Sequence, residues 1–200
     1  MSLKTNMFAL LIIALVLYGC PSSDSSVDPP AETYDDLINK GWSEFSDKDY
    51  IVAIEKFNAA KSMKPDNFEA YNGLGWAYFK NDQLTNSIQE FSLGSQKEGS
   101  SADTKAGWAF VLNADKKYAD SNIKIDSTLS SDSNWTFSQG LGLDKNDLLV
   151  LRAENFFLLG IFEESLNAVQ VLNPSFLANI LTSEGRAELA LEIERLKGAN

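Results

Sequence analysis

The side chains that usually carry acid–base and metal chemistry near neutral pH are thin in this sequence. It has no histidine, which removes the common general base and the commonest metal ligand. Its one cysteine, Cys20, has no second thiol with which to close an internal disulfide. Carboxylates are plentiful, 28 Asp and Glu against 17 Lys and Arg, but Glu163-Glu164 and the stretch from Glu188 to Glu194 fall where a solvated helix face would carry them. Asp126, Asp132 and Asn134 offer oxygens on one loop without the spacing or glycine of a calcium-binding loop, and "GLGL" around Gly140 and Gly142 lacks the third glycine and preceding strand of a dinucleotide loop. No nucleophile elbow, zinc spacing or phosphate loop is present. These residues point away from an enzyme and require neither metal ion nor cofactor. The formal charge of −11, spread along the chain, repels polyanions and excludes nucleic acid as a partner.

The reactive atom that remains is the Cys20 sulfur, and its setting is specific. "MSLKTN" carries one cation, Lys4, and an uncharged apolar run of 13 residues follows, "MFALLIIALVLYG", too short to span a bilayer comfortably and the right size for the core of a secretory signal. The run closes in "LYGC", Leu17 to Cys20, which resembles the lipobox of bacterial lipoprotein signal peptides: an aliphatic residue, two positions ending in a small residue, then cysteine. The resemblance implies removal of residues 1–19, diacylglycerol on the Cys20 sulfur and a palmitate-like acyl group on the new amino terminus. Three such chains anchor almost irreversibly, since each buried CH₂ contributes about 0.8 kcal/mol. The implied location is the bacterial cell envelope, with Pro21 after the cysteine leaning toward the outer membrane, facing the periplasm. "PSSDSSVDPPAE" then completes a flexible tether over residues 20–32, with no apolar periodicity to drive burial.

Side chains able to grip a partner are more evident than side chains able to transform one. Three of the four tryptophans directly follow a glycine, in Gly41-Trp42, Gly75-Trp76 and Gly107-Trp108. The pairs belong to a longer pattern of period 34: Tyr50, Leu84 and Tyr118, then Ala53, Ser87 and Ser121, with Ile54 and Ile88, and Phe57 and Phe91, in the same register. Each unit alternates a helical pattern, a polar turn ("SDKD", "KNDQ", "NADKK") and a second helical pattern.

These units resemble the tetratricopeptide repeat. Leu37, Gly41, Tyr50, Ala53, Phe57, Ala60 and Pro65 fall on that motif's preferred positions in the first unit; Tyr71, Leu74, Gly75, Tyr78, Leu84, Ile88 and Phe91 do so in the second. A third, degenerate unit keeps Gly107, Ala109, Phe110 and Tyr118, with Gly107 displaced by two from the register of Gly75. The fourth restores the pattern with Leu149, Ala153, Phe156, Gly160, Phe162, Ser165, Leu166 and Pro174. The implied fold is an all-α, tetratricopeptide-like solenoid of helical hairpins over residues 33–200, with an insertion at about 130–147 containing Trp135 and Phe137, and a capping helix at about 182–198.

In such a hairpin the glycine allows close approach of the partner helix, and the next residue points about 100° around the axis. That second face carries Ile38, Trp42 and Phe45, then Asn72, Trp76 and Phe79, then Thr104, Trp108 and Val111. In tetratricopeptide domains it lines the concave surface. Trp42, Phe45, Trp76, Phe79 and Trp108 are therefore the expected partner-binding residues of a non-catalytic scaffold or peptide binder in the cell envelope. A competing arrangement covers the stripe from within, by the insertion or the C-terminal helix. A rival function, small-ligand or glycan binding, needs the same aromatics to wall an enclosed pocket.

Overall fold

A computed structural model describes residues 31–198. The signal segment 1–19, Cys20 and nearly all of the tether lie outside the described residues. Within them the chain forms nine helices and no strand beyond one isolated bridge: α1 (Tyr34–Ser46), α2 (Tyr50–Met63), α3 (Phe68–Lys80), α4 (Leu84–Ser95), α5 (Ala102–Ala114), α6 (Tyr118–Ser131), α7 (Lys145–Leu158), α8 (Phe162–Leu172) and α9 (Ser183–Lys197). None of these is long and apolar enough to cross a membrane.

Helix ends are set by local chemistry. The Thr33 hydroxyl accepts from the Asp36 amide while the Asp36 carboxylate accepts from the Thr33 amide, and Asp144 and Asp147 repeat this reciprocal cap on α7. Asp49, Asn67, Ser101 and Thr182 cap α2, α3, α5 and α9 through their side-chain oxygens. Each hairpin turn holds one residue in the left-handed region at the same repeat position: Lys48, Asp82, Lys116 and then Gly160. The first three are 34 residues apart and the last follows after 44, so the stretch between α6 and α7 adds ten residues to the repeat length.

The helices pair as α1–α2, α3–α4, α5–α6 and α7–α8, and α2, α4 and α6 each pack on the first helix of the next hairpin. The first helices α1, α3, α5 and α7 also touch one another in series, which makes them the inner face of the stack. Phenylalanines of the second helices wedge into glycines of the first. Phe57 sits between Gly41 and Gly73, and Phe91 between Gly75 and Gly107; a Cβ built at Gly41 or Gly75 would lie 2.5 Å from the ring. One core runs through the first three hairpins and takes in Leu148 and Leu151 of α7, while a second joins Ala153, Ala168 and Val169 to Leu189 and Ile193 of α9. Helix α9 thereby covers the apolar end of the last hairpin.

Candidate functional site

The inner face is built from register, and a repeated hydrogen bond fixes that register. Ser87 Oγ donates to the Gly75 carbonyl at 2.7 Å, Ser121 Oγ to Ala109 at 2.8 Å and Ser165 Oγ to Ala153 at 2.8 Å, always from the second helix to the residue twelve positions earlier in the first. Gly75, Ala109 and Ala153 are thus equivalent, and the residues that follow them, Trp76, Phe110 and Glu154, share the inner face with Trp42. Gly107 is the counterpart of Gly73, and Trp108 the counterpart of the buried Leu74.

Trp108 therefore does not extend the stripe. Its ring turns toward the second helix of its own hairpin, where Lys124 Nζ stands 3.6 Å from the ring centroid, and burial there holds the Lys124 ammonium pKa below its ordinary value. The third Gly-Trp pair lies two residues off the register of the others, which rotates its tryptophan by about 200° on the helix. Phe110 takes the vacated place, its ring centroid 6.0 Å from that of Trp76.

The insertion fills the middle of the face. Residues 135–137 run extended before a turn at Ser138, bridged by Thr136 to Asp144 and by the Phe137 amide donating to the Leu143 carbonyl at 2.8 Å. Alternation then drives Trp135 and Phe137 inward and leaves Thr136 and Ser138 outside. The Phe137 ring lies 4.5 Å from Trp76 and 6.1 Å from Trp42. Trp135 is buried, and its indole N–H donates to Asp103 Oδ1 at 2.6 Å, while the Ser138 hydroxyl and amide donate to Asp103 Oδ2 at 2.5 and 3.3 Å. One carboxylate of α5 thus clamps the insertion to the stack.

The five expected partner-binding residues separate accordingly. Phe45 and Trp76 are fully buried and offer a partner no surface; Phe79 is half-buried beside Trp76; Trp108 faces α6; Trp42 stays partly open on the inner face. Among the described residues, the rings that would wall the enclosed aromatic pocket of the rival reading instead pack on one another. The buried indole nitrogens of Trp76 and Trp108 find no acceptor among the described residues, in contrast to Trp135.

Beside Trp42 a cleft of about 320 Å³ remains open between α1, α3, α5 and the insertion. Ile38 and Trp42 form its apolar wall, and Glu69, Asn72, Asp103 and Ser138 bring polar atoms to it. Asn72 is only 6% exposed and its amide oxygen has no hydrogen-bond partner. Glu69 accepts from the Tyr34 hydroxyl at 3.3 Å; burial, reinforced by the Glu69 charge, raises the Tyr34 pKa. Glu69 and Asp103 were not singled out from the sequence, although Asp35, Glu69 and Asp103 each hold the second position of a first helix, α1, α3 and α5, 34 residues apart. A second opening of about 300 Å³ lies further along the face, lined by Phe110, Asn113, Val150 and Glu154 among others, where Lys197 of α9 pairs with Glu154 at 2.8 Å.

No family model matches the chain, and no curated protein matches it in sequence. Solved structures do match in fold. The crystal structure of MamA superposes with a TM-score of 0.59 at 15% identity over 84% of this chain and 82% of that one. PilF of Pseudomonas aeruginosa gives 0.60 at 12% identity over 84% and 78%, and a tetratricopeptide repeat protein from Parabacteroides merdae 0.58 at 13% over 83% and 60%. The fold is a tetratricopeptide-like solenoid. This tetratricopeptide-like chain carries a segment of its own in the groove and a polar cleft at one end of that segment.

Proposed function

We propose that the chain is a lipid-anchored envelope lipoprotein, acylated at Cys20 and facing the periplasm from the outer membrane, whose solenoid is a non-catalytic scaffold that grips a short segment of a partner protein. The reading rests on one observation above others: the inner face keeps an open cleft at Trp42 while the insertion closes the neighbouring groove. A long peptide running the length of the face has no room beside Phe137, so the partner contributes one or a few side chains at the Trp42 end. Apolar walls with a few fixed polar atoms suit such an anchor.

Two measurements test it. A photo-reactive residue at the exposed Asn39, which lines the cleft, should capture one defined partner in cells, whereas the same residue at Ile51 on α2, 62% exposed and away from the inner face, should not. Equal capture at both positions, or none at Asn39, refutes the partner-binding reading. Metabolic labelling with a palmitate analogue should mark the wild-type chain and not Cys20→Ser, and the variant should leave the membrane fraction; label retained by the variant refutes acylation at Cys20.

A further inference from the structure

We infer that the cleft beside Trp42 recognises a cationic side chain of the partner, an arginine guanidinium in preference to a neutral or acidic group. This rests on the partner-binding reading above and adds the chemistry of the residue bound. The charged groups lining the cleft are the carboxylates of Glu69 and Asp103, set among neutral amides and hydroxyls that include the Asn72 amide, with no lysine or arginine among the lining residues. Asn72 carries the argument. Its side chain is nine-tenths buried among the residues that line the cleft, and its oxygen accepts from no group among the described residues, so a buried acceptor stands unsatisfied until a donor reaches it.

Asp103 adds to this. It is 7% exposed, is matched by no basic side chain among the described residues, and accepts three hydrogen bonds, from Trp135 and Ser138. Two carboxylates without a countercharge, bounded by a tryptophan ring and Ile38, favour a flat, weakly hydrated cation that can donate to several acceptors at once and lie against the ring. The carboxylates form no group with a third His, Cys, Asp or Glu suited to a metal ion among the described residues, whereas a guanidinium with five donors can span separated oxygens. The chain's formal charge of −11 draws such a group toward the surface.

The test uses residues 20–200 carrying Cys20→Ser, the span left by the implied removal of residues 1–19, without the lipid. A blocked pentapeptide with arginine between glycines is titrated against the same peptide with citrulline, the neutral isostere, or with glutamate, following the Trp42 indole N–H resonance and the dissociation constant. The arginine peptide should shift Trp42 and leave Trp108 unmoved, binding at least tenfold more tightly than the citrulline peptide. Glu69→Gln, a surface change that leaves the core intact, and Asn72→Ala should each weaken it by about tenfold. Equal binding of arginine and citrulline peptides, no measurable binding of either, or binding indifferent to both substitutions overturns the inference. If Asn39 still captures its partner in any of those cases, the scaffold reading stands and only the cationic specificity falls. If the Asn39 probe captures nothing, the scaffold reading falls, whatever the peptides do.

Discussion

The Asp103 clamp yields a quantitative prediction. In Asp103→Ala the Trp135 indole N–H loses its acceptor at 2.6 Å and Ser138 loses both its contacts. A hydrogen bond to a charged acceptor contributes about 1.5–3 kcal/mol net, and a buried donor left unsatisfied costs a similar amount. In Trp135→Phe the ring remains apolar but the donor is gone, so that variant also carries a cavity cost unrelated to Asp103. A double-mutant cycle between Asp103→Ala and Trp135→Phe removes the unrelated part, and the coupling should be about 2 kcal/mol. The loss should be local before it is global, because the insertion can detach while the hairpins stay stacked. Amide exchange at Phe137, whose N–H bonds to the Leu143 carbonyl, should speed up about 30-fold, the equivalent of 2 kcal/mol, while exchange in the middle of α3 changes far less. Urea unfolding supplies the global stabilities. A coupling below about 0.5 kcal/mol, or protection lost evenly along the chain, would refute the clamp.

Other perturbations test the packing and the charges. Gly107→Ala places a Cβ 2.6 Å from Phe91 Cε1 and 2.8 Å from Trp76 Cε2, so it should cost about 1–3 kcal/mol by overpacking. Gly142→Ala, where a Cβ meets nothing within 4 Å and only the positive φ is strained, should cost about 1 kcal/mol; a thermal melt that ranks the two variants the other way defeats the wedge argument. Glu192 accepts from Arg195 Nε and Nη2 at 2.7 and 2.6 Å and from Asn173 at 2.8 Å, and chiefly the Arg195 hydrogen bonds hold its pKa at about 2 against an ordinary 4.5. A carboxylate depressed in the folded state stabilises above its unfolded pKa, so the stability gap between wild type and Glu192→Gln should be constant above the usual carboxylate range. It should shrink as pH falls from about 4.5 to about 2. A gap that widens on acidification would contradict that sign.

The fold was legible because its signals are local and repeated. A period of 34, turn residues at the same place in each unit, and small residues where helices cross all report on contacts within one hairpin, which recurs. The candidate site was less legible. Trp42 and Trp76 follow glycines that share a register, but Trp108 follows a glycine shifted by two, a shift the period of 34 shows and adjacency to glycine outweighs when the three tryptophans are placed on one face. The Ser121 to Ala109 bond gives the shift its weight, since Ala109, not Gly107, holds the position of Gly75. Nothing local marks the first-turn carboxylate Asp103 as the acceptor for a tryptophan 32 residues further on.

What this sequence determines by itself is the class of object: helical hairpins stacked in series, in a chain poor in the side chains that usually carry catalysis. Periodicity is enough for that, because a helix face is decided by spacing within a few turns. Whether an aromatic on the inner face meets solvent, another ring or the insertion depends on segments far apart in the chain. Only the tertiary structure decided that Phe137 closes the groove over Trp76, that Asp103 holds it there, and that an unsatisfied Asn72 oxygen is left beside Trp42. The physical reason is that burial and hydrogen-bond satisfaction belong to a place in space, and ten inserted residues between two hairpins can bring new side chains to that place without altering the repeat that built it.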